Sequence, residues 1–358
     1  MSWLAEPQVR AIAAPPPRLV REHRFVERAV FAGGLPGCGK SLITALLGSF
    51  KGVEIQIYKE EMEHICSLRY LGRMEEDAAT AVIRLMTDMD LYNVMQSRET
   101  NFRFSDCSSI FRNPGTLRYL RRLFQPGDAA AADRIRSQRP ILQILMHNLL
   151  VLIPPVFRAL GDSLRVIEVV RHPLYMVKQW HLYMDRYGAD PRDFSICFDY
   201  RGRSLPFFAL GWEEVYLAAN PMDRVIHSMD RLTRRGEEVI QALSDSERAR
   251  FLRIPFEPFV LDPWPTIGRI ERLLGTERTP LTLRELKRQN VPRKRIADGI
   301  PLPIYRLNGW QPAGRGATER AELDRRREFA RQQATPEGMR VLDRISAEYE
   351  ARYMEGIL

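Results

Sequence analysis

The stretch Val30–Phe50, VFAGGLPGCGKSLITALLGSF, constrains this chain more than any other. Gly34-Leu35-Pro36-Gly37-Cys38-Gly39-Lys40-Ser41 satisfies G-x-x-x-x-G-K-[ST] in full, between an apolar run suited to a buried strand and a segment of helical periodicity. A loop of this kind works through backbone N–H groups converging on an anion at a helix N-terminus, where unpaired donors and the helix dipole already favour negative charge. Gly34, Gly37 and Gly39 allow close approach, Lys40 adds a mobile cation, and Ser41 adds a hydroxyl for phosphate or magnesium. The motif predicts a βαβ opening: a strand at 28–34, a helix after Lys40 and a second strand at Val53–Tyr58, where VEIQIY alternates.

The rest of the chain keeps the alternation of strand and helix. Helical spacing among charges over about 59–97 predicts a helical insertion. Pro140–Met146 and Leu164–Val170 read as buried strands, separated by a helix that Pro154-Pro155 interrupts. Parallel strands with crossover helices follow, giving an α/β, three-layer P-loop fold with a central parallel sheet. A hairpin about Arg201-Gly202 is expected as an insertion at about 194–210. The chain divides into an extended leader at 1–24 marked by Pro15-Pro16-Pro17, a P-loop domain at 25–310 and a charged helical tail at 311–358. The tail is expected to lie outside the core, as a helical C-terminal extension.

Composition bears on the ligand. A chain of 358 residues, 45% hydrophobic, can bury a large core, and its formal net charge of +9 favours an anionic ligand. The arginines are spread along the chain, and no zinc, RNP-type or basic-helix signature accompanies them, so nucleic acid is not expected as a partner. Cys38, Cys66, Cys107 and Cys197 lie far apart without metal-ligand spacing, and no metal site is expected; they read as reduced thiols of a cytoplasmic protein. The first 25 residues show no basic-then-apolar targeting pattern, and nowhere do eighteen apolar residues run together, so no integral membrane segment is expected.

A second constellation lies downstream. His147 closes the strand within QRPILQILMHN, and Arg171-His172-Pro173 closes the next, RVIEVVRHP. A third segment, RFLRIPFEPFVLDPWPTIGRIERLLG, spans Arg250–Gly275. In this order the three resemble the sulfotransferase superfamily over roughly 28–310: a strand ending in a catalytic histidine, then one ending R-N-P, then a strand and helix of the form R-Y-E-D-L-V-x-D-P. The resemblance implies sulfuryl transfer from 3′-phosphoadenosine 5′-phosphosulfate (PAPS) to a hydroxyl or amine acceptor. It implies that Gly34, Gly37, Gly39, Lys40 and Ser41 hold the donor's 5′-phosphosulfate, that Arg171 and Gln179 hold its 3′-phosphate with help from Arg293, and that His147 is the catalytic base beside Lys40. Independently of the family, a neutral histidine suits proton removal near pH 7, and an arginine fork suits bidentate phosphate contact.

The sequence departs from that pattern at definite points. Family loops carry lysine directly after proline, whereas Gly37 follows Pro36 here and Lys40 stands where ATP-using kinases carry it. Leu145 replaces a lysine two residues before the histidine, and Gln179 replaces a serine. Two alternatives therefore stay open: a P-loop kinase or NTPase using ATP with magnesium, and a non-catalytic nucleotide-binding protein. The first needs a carboxylate for the metal, for which Asp106 and Glu168 are the candidates, though neither ends an apolar strand in the usual manner. Met95–Pro114 and the aromatic residues Trp180, Tyr183 and Tyr187 suit a sugar or glycolipid acceptor, and the sequence does not name it.

Overall fold

The computed structural model describes residues 17–104, 106, 108–301, 305–306, 310, 312, 314 and 316–358. Most of the leader, Cys107 and Gly309 lie outside the described residues.

Strand β1 (Ala29–Gly34) is buried at all six positions, so both faces of the sheet are covered there. The parallel sheet has the order β2-β3-β1-β4-β7, built with β2 (Ile57–Tyr58), β3 (Leu142–His147), β4 (Leu164–Val170) and β7 (Phe251–Pro255). Of the expected strand at 53–58 only its last two residues form a ladder; Val53 makes an isolated bridge to Ile141. The antiparallel hairpin of β5 (Cys197–Tyr200) and β6 (Arg203–Pro206) turns at Arg201-Gly202.

Register decides what meets at the carboxyl edge of the sheet. Gly34 pairs with His147 across β1 and β3, and Gly33 pairs with Glu168 across β1 and β4. The glycine loop, His147 and Arg171 therefore leave the sheet side by side, at the edge where open parallel sheets bind ligands. Helix α1 (Lys40–Leu47) follows the loop, and α2 (Glu60–Tyr70) and α3 (Glu76–Val94) occupy the expected insertion. In the next crossover Ile153 separates α4 (Leu149–Leu152) from α5 (Pro154–Leu160), since Pro154 lacks the N–H that would continue the helix. Helices α6 (Pro173–Met184) and α8 (Phe256–Leu261) carry residues that brace the loop, and α7 (Pro221–Ala242) packs on α6.

The C-terminal helices correct the expectation that they lie outside the core. In α9 (Glu319–Arg331) and α10 (Pro336–Tyr353), Leu323, Ala330, Leu342 and Tyr349 join the hydrophobic core cluster, and the two helices pack on α6 and α7. Polar contacts fix them as well. Glu257, fully buried on α8, accepts the His172 backbone N–H at 3.1 Å and the Tyr349 hydroxyl at 2.5 Å. The buried His172 faces Glu350 through Nε2 at 3.1 Å and accepts the Leu174 N–H at Nδ1, which sets the Nε2–H tautomer. Charged residues on the outer faces dilute the composition of the tail, while apolar residues at helical spacing still cover α6 and α7. Among the described residues no helix is long and apolar enough to cross a membrane.

The Tyr349–Glu257 bond gives a stability prediction. Tyr349→Phe removes one donor from a buried carboxylate, at an expected cost of about 1–3 kcal/mol. Urea denaturation of wild type and variant checks it; equal midpoints and slopes would show the bond to be worth nothing net.

Candidate functional site

The loop after β1 is shaped by conformations that only glycine adopts cheaply. Gly34 and Gly39 have φ of 149° and 91°, and a Cβ would strike the Val169 carbonyl at the first and the Phe256 ring at the second. The loop's carbonyls are taken by donors from within the motif and from α6 and its entry. Leu35 O accepts from the Cys38 N–H at 3.2 Å and from Lys40 Nζ at 3.4 Å. Pro36 O accepts from Trp180 Nε1 at 2.5 Å, and Gly37 O accepts from Arg171 Nη1 at 2.9 Å. At the start of α1 the Leu42 N–H turns back to the Gly39 carbonyl at 3.0 Å, and the helix N-terminus there favours an anion.

A cavity of about 450 Å³ opens beside this loop. Of the residues singled out in the sequence, it brings together Gly37, Gly39, Lys40, Ser41, His147, Arg171, Gln179 and Arg293. Gly34 lies deeper and lines a second cavity of about 420 Å³ behind the loop, which Arg171 also borders. Gln179 stands against the loop, its Oε1 3.2 Å from where a Gly37 Cβ would sit. Leu145, where the family has a lysine, lines the cavity with an apolar side chain.

His147 sits at the end of β3 with its side chain 34% exposed. Its backbone N–H donates to Glu63 Oε1 at 2.6 Å and its ring Nδ1 lies 3.2 Å from the same oxygen. The Tyr58 ring meets it edge-on, 5.1 Å between centroids. Burial holds the imidazole below its usual range, Lys40 pushes the same way and Glu63 opposes them. The imidazole is thus neutral at pH 7; with Nδ1–H directed at Glu63, Nε2 is the nitrogen that can accept a proton. Glu63 was not singled out in the sequence, because it comes from the helical insertion 84 positions away. Lys40 is itself buried, which lowers its ammonium from the usual value.

Arg171, which also lines the cavity, lies over two rings, Phe256 at 4.5 Å and Tyr175 at 4.9 Å. Arg293 lies over Phe256 at 5.5 Å. The neighbouring Arg295 is committed to Asp298 at 2.9 Å and Lys294 is exposed, so of that basic run Arg293 alone borders the cavity. The two carboxylates weighed for a metal separate. Glu168 pairs with Arg253 at 2.6 Å and lines the cavity behind the loop, whereas Asp106 shares the cavity with Ser41. Two aromatic residues weighed for an acceptor serve packing instead. Trp180 is 2% exposed and holds the loop, and Tyr187 packs edge-on against Phe208. Cys38, Cys66 and Cys197 are free thiols.

No family model and no curated protein matches the chain. Solved structures similar to it include the sulfotransferase domain of the Synechococcus PCC 7002 olefin synthase, at 14% identity and TM-score 0.41, covering 91% of this chain and 97% of that one. Sulfotransferase STF9 from Mycobacterium avium is 15% identical with TM-score 0.41, covering 92% and 77%. Mouse sulfotransferase SULT7A1, complexed with PAP, is 11% identical with TM-score 0.34, covering 89% of each chain. At these identities and scores the likenesses add no argument to that of the residues themselves.

The charges around His147 predict its titration. Lys40→Met removes a cation and should raise the His147 midpoint, whereas Glu63→Gln removes an anion and should lower it. Imidazole NMR across pH 4–8 reads both; a midpoint indifferent to both substitutions would contradict the electrostatics described here.

Proposed function

We propose that the protein is a sulfotransferase-like enzyme that moves a sulfuryl group from PAPS to a hydroxyl or amine acceptor. The observation that carries this reading is one cavity lined by two kinds of anion-binding group. The phosphate loop with Lys40 and His147 is one; Arg171, Arg293 and Gln179 are the other, with Arg171 and Gln179 set against the loop. A donor with phosphate at both its 5′ and 3′ positions needs two anion sites in one cavity, whereas ATP has all its phosphate on one side.

The fit of the donor rests on the same residues. The N–H groups at the start of α1 and Lys40 would hold the 5′-phosphosulfate, and Arg171, with a buried Nε that has no hydrogen-bond partner, would hold the 3′-phosphate with Gln179 and Arg293. His147, kept in one orientation by Glu63, would take the proton of the acceptor hydroxyl or amine as its oxygen or nitrogen bonds to sulfur. The S–O bond to the 5′-phosphate breaks in the same displacement, and Lys40 stabilises charge on the departing oxygen. In-line positioning supplies much of the rate. Asp106 and Ser108 border the same cavity as Tyr58 and His147, in the arginine- and aromatic-rich segment that suits a sugar or glycolipid acceptor.

One observation favours a second reading. Asp106 shares the cavity with Ser41, so a magnesium ion between them would serve phosphoryl transfer from ATP.

Calorimetry separates the two. Adenosine 3′,5′-bisphosphate should bind without metal and at least tenfold more tightly than adenosine 5′-monophosphate, and Arg171→Ala should remove most of that difference. Magnesium-dependent ATP binding with no preference for a 3′-phosphate would sink the sulfotransferase reading. His147→Ala should leave bisphosphate affinity within about twofold while consumption of labelled donor falls by about 10² or more. Unchanged consumption in the folded variant would return His147 to a packing role.

A further inference from the structure

The cavity is lined by one more arginine than the sequence pattern picks out. Arg326, from α9, lies over the Tyr175 ring at 4.3 Å, the ring that Arg171 also overlies. Arg293 and Arg171 in turn share Phe256. Three guanidinium groups are thus interleaved with two rings, and all three line the cavity that holds Lys40 and Ser41. They come from three distant parts of the chain: the turn after β4, the loop near 293, and the C-terminal helices.

Fixed carboxylates offset this charge only in part. Arg326 gives Nη2 to Glu322 Oε1 at 2.7 Å, but Arg325 uses the same oxygen at 2.8 Å. Arg293 spends N–H groups on the carbonyls of Asn290 and Ile296. Glu257 stands 4.0 Å from Arg171 Nε and is shared with His172 and Tyr349. The Nε atoms of both Arg171 and Arg326 are buried without a hydrogen-bond partner. Burial, then Arg171, pushes Arg293 down to about 10, and burial lowers Arg326 with Arg171 acting in the same direction. A half-buried cluster of like charges with unspent donors is stabilised by an anion that accepts from several of them at once.

We infer that Arg326 is a third arginine of the site for the donor's 3′-phosphate, so that the C-terminal helices form part of the donor site. This rests on the sulfuryl-donor reading. It follows that donor binding and docking of the tail favour one another, since Glu319 and Glu350 tie the same helices to Ile296 and His172.

The test is calorimetric titration of wild type and Arg326→Gln with adenosine 3′,5′-bisphosphate and adenosine 5′-monophosphate. The variant should lose about tenfold or more in affinity for the bisphosphate and stay within about twofold for the monophosphate. In hydrogen exchange, the bisphosphate should protect Glu319–Arg331 in wild type and not in the variant. A folded Arg326→Gln that keeps the full preference overturns the inference and leaves the donor reading standing; a wild type without any preference overturns both. Should circular dichroism show Arg326→Gln unfolded, Arg326→Lys keeps stem and charge but lacks the planar fork. It should cost the bisphosphate several-fold, and an unchanged preference there overturns the inference equally.

Discussion

The geometry of the site depends on where the loop after β1 sends its carbonyl oxygens. A backbone segment that presents N–H groups to an anion must dispose of the opposite dipoles elsewhere, because a buried unpaired carbonyl costs about as much as a lost hydrogen bond. Here Leu35, Pro36 and Gly37 give their carbonyls to donors on Cys38, Lys40, Trp180 and Arg171. Two of these donors lie on α6 or at its entry, so the loop's shape is set by a helix more than 130 residues away as much as by its own glycines. Arg171 thereby holds the loop through Nη1 while it borders the cavity beside it.

That dual use of Arg171 requires its own support, and the C-terminal helices supply it. Glu257 sits behind the guanidinium and is fixed by His172 and by Tyr349. A buried carboxylate is tolerated where charge and hydrogen bonds satisfy it. The tail is thus connected to the site through a short polar chain, from α10 to Glu257 to Arg171 to the loop, as well as through apolar packing.

What was legible in the sequence was what chemistry confines to short stretches. The glycine loop, β4 at 164–170, the hairpin turn at Arg201-Gly202 and the break at Pro154 are local, and each was read from neighbouring residues. His147 and Arg171 were legible as candidates because strand ends follow from apolar runs, and register then brings them to Gly34. Glu63 and Arg326 were not, since nothing within a charged helix marks the one residue that meets His147 or lines the cavity. The burial of the tail was hidden differently. Met339, Leu342, Ile345 and Tyr349 follow a helical period, but the density of charge around them weighed more than their spacing in the reading. Trp180 shows the converse, since an aromatic residue near a site reads as a binding surface until its N–H is found on a loop carbonyl.

Lys40 links the two proposed tasks of the site, holding the donor and removing a proton. Its charge helps keep His147 neutral but also weakens it as a base. An anion bound at the start of α1 would offset that charge, leaving burial against the protonated form and Glu63 in favour of it. On the sulfuryl reading His147 therefore gains basicity when the donor is in place. The coupling needs no conformational change, because one buried ammonium is near enough to both the loop and the imidazole for its neutralisation by the first to be felt by the second.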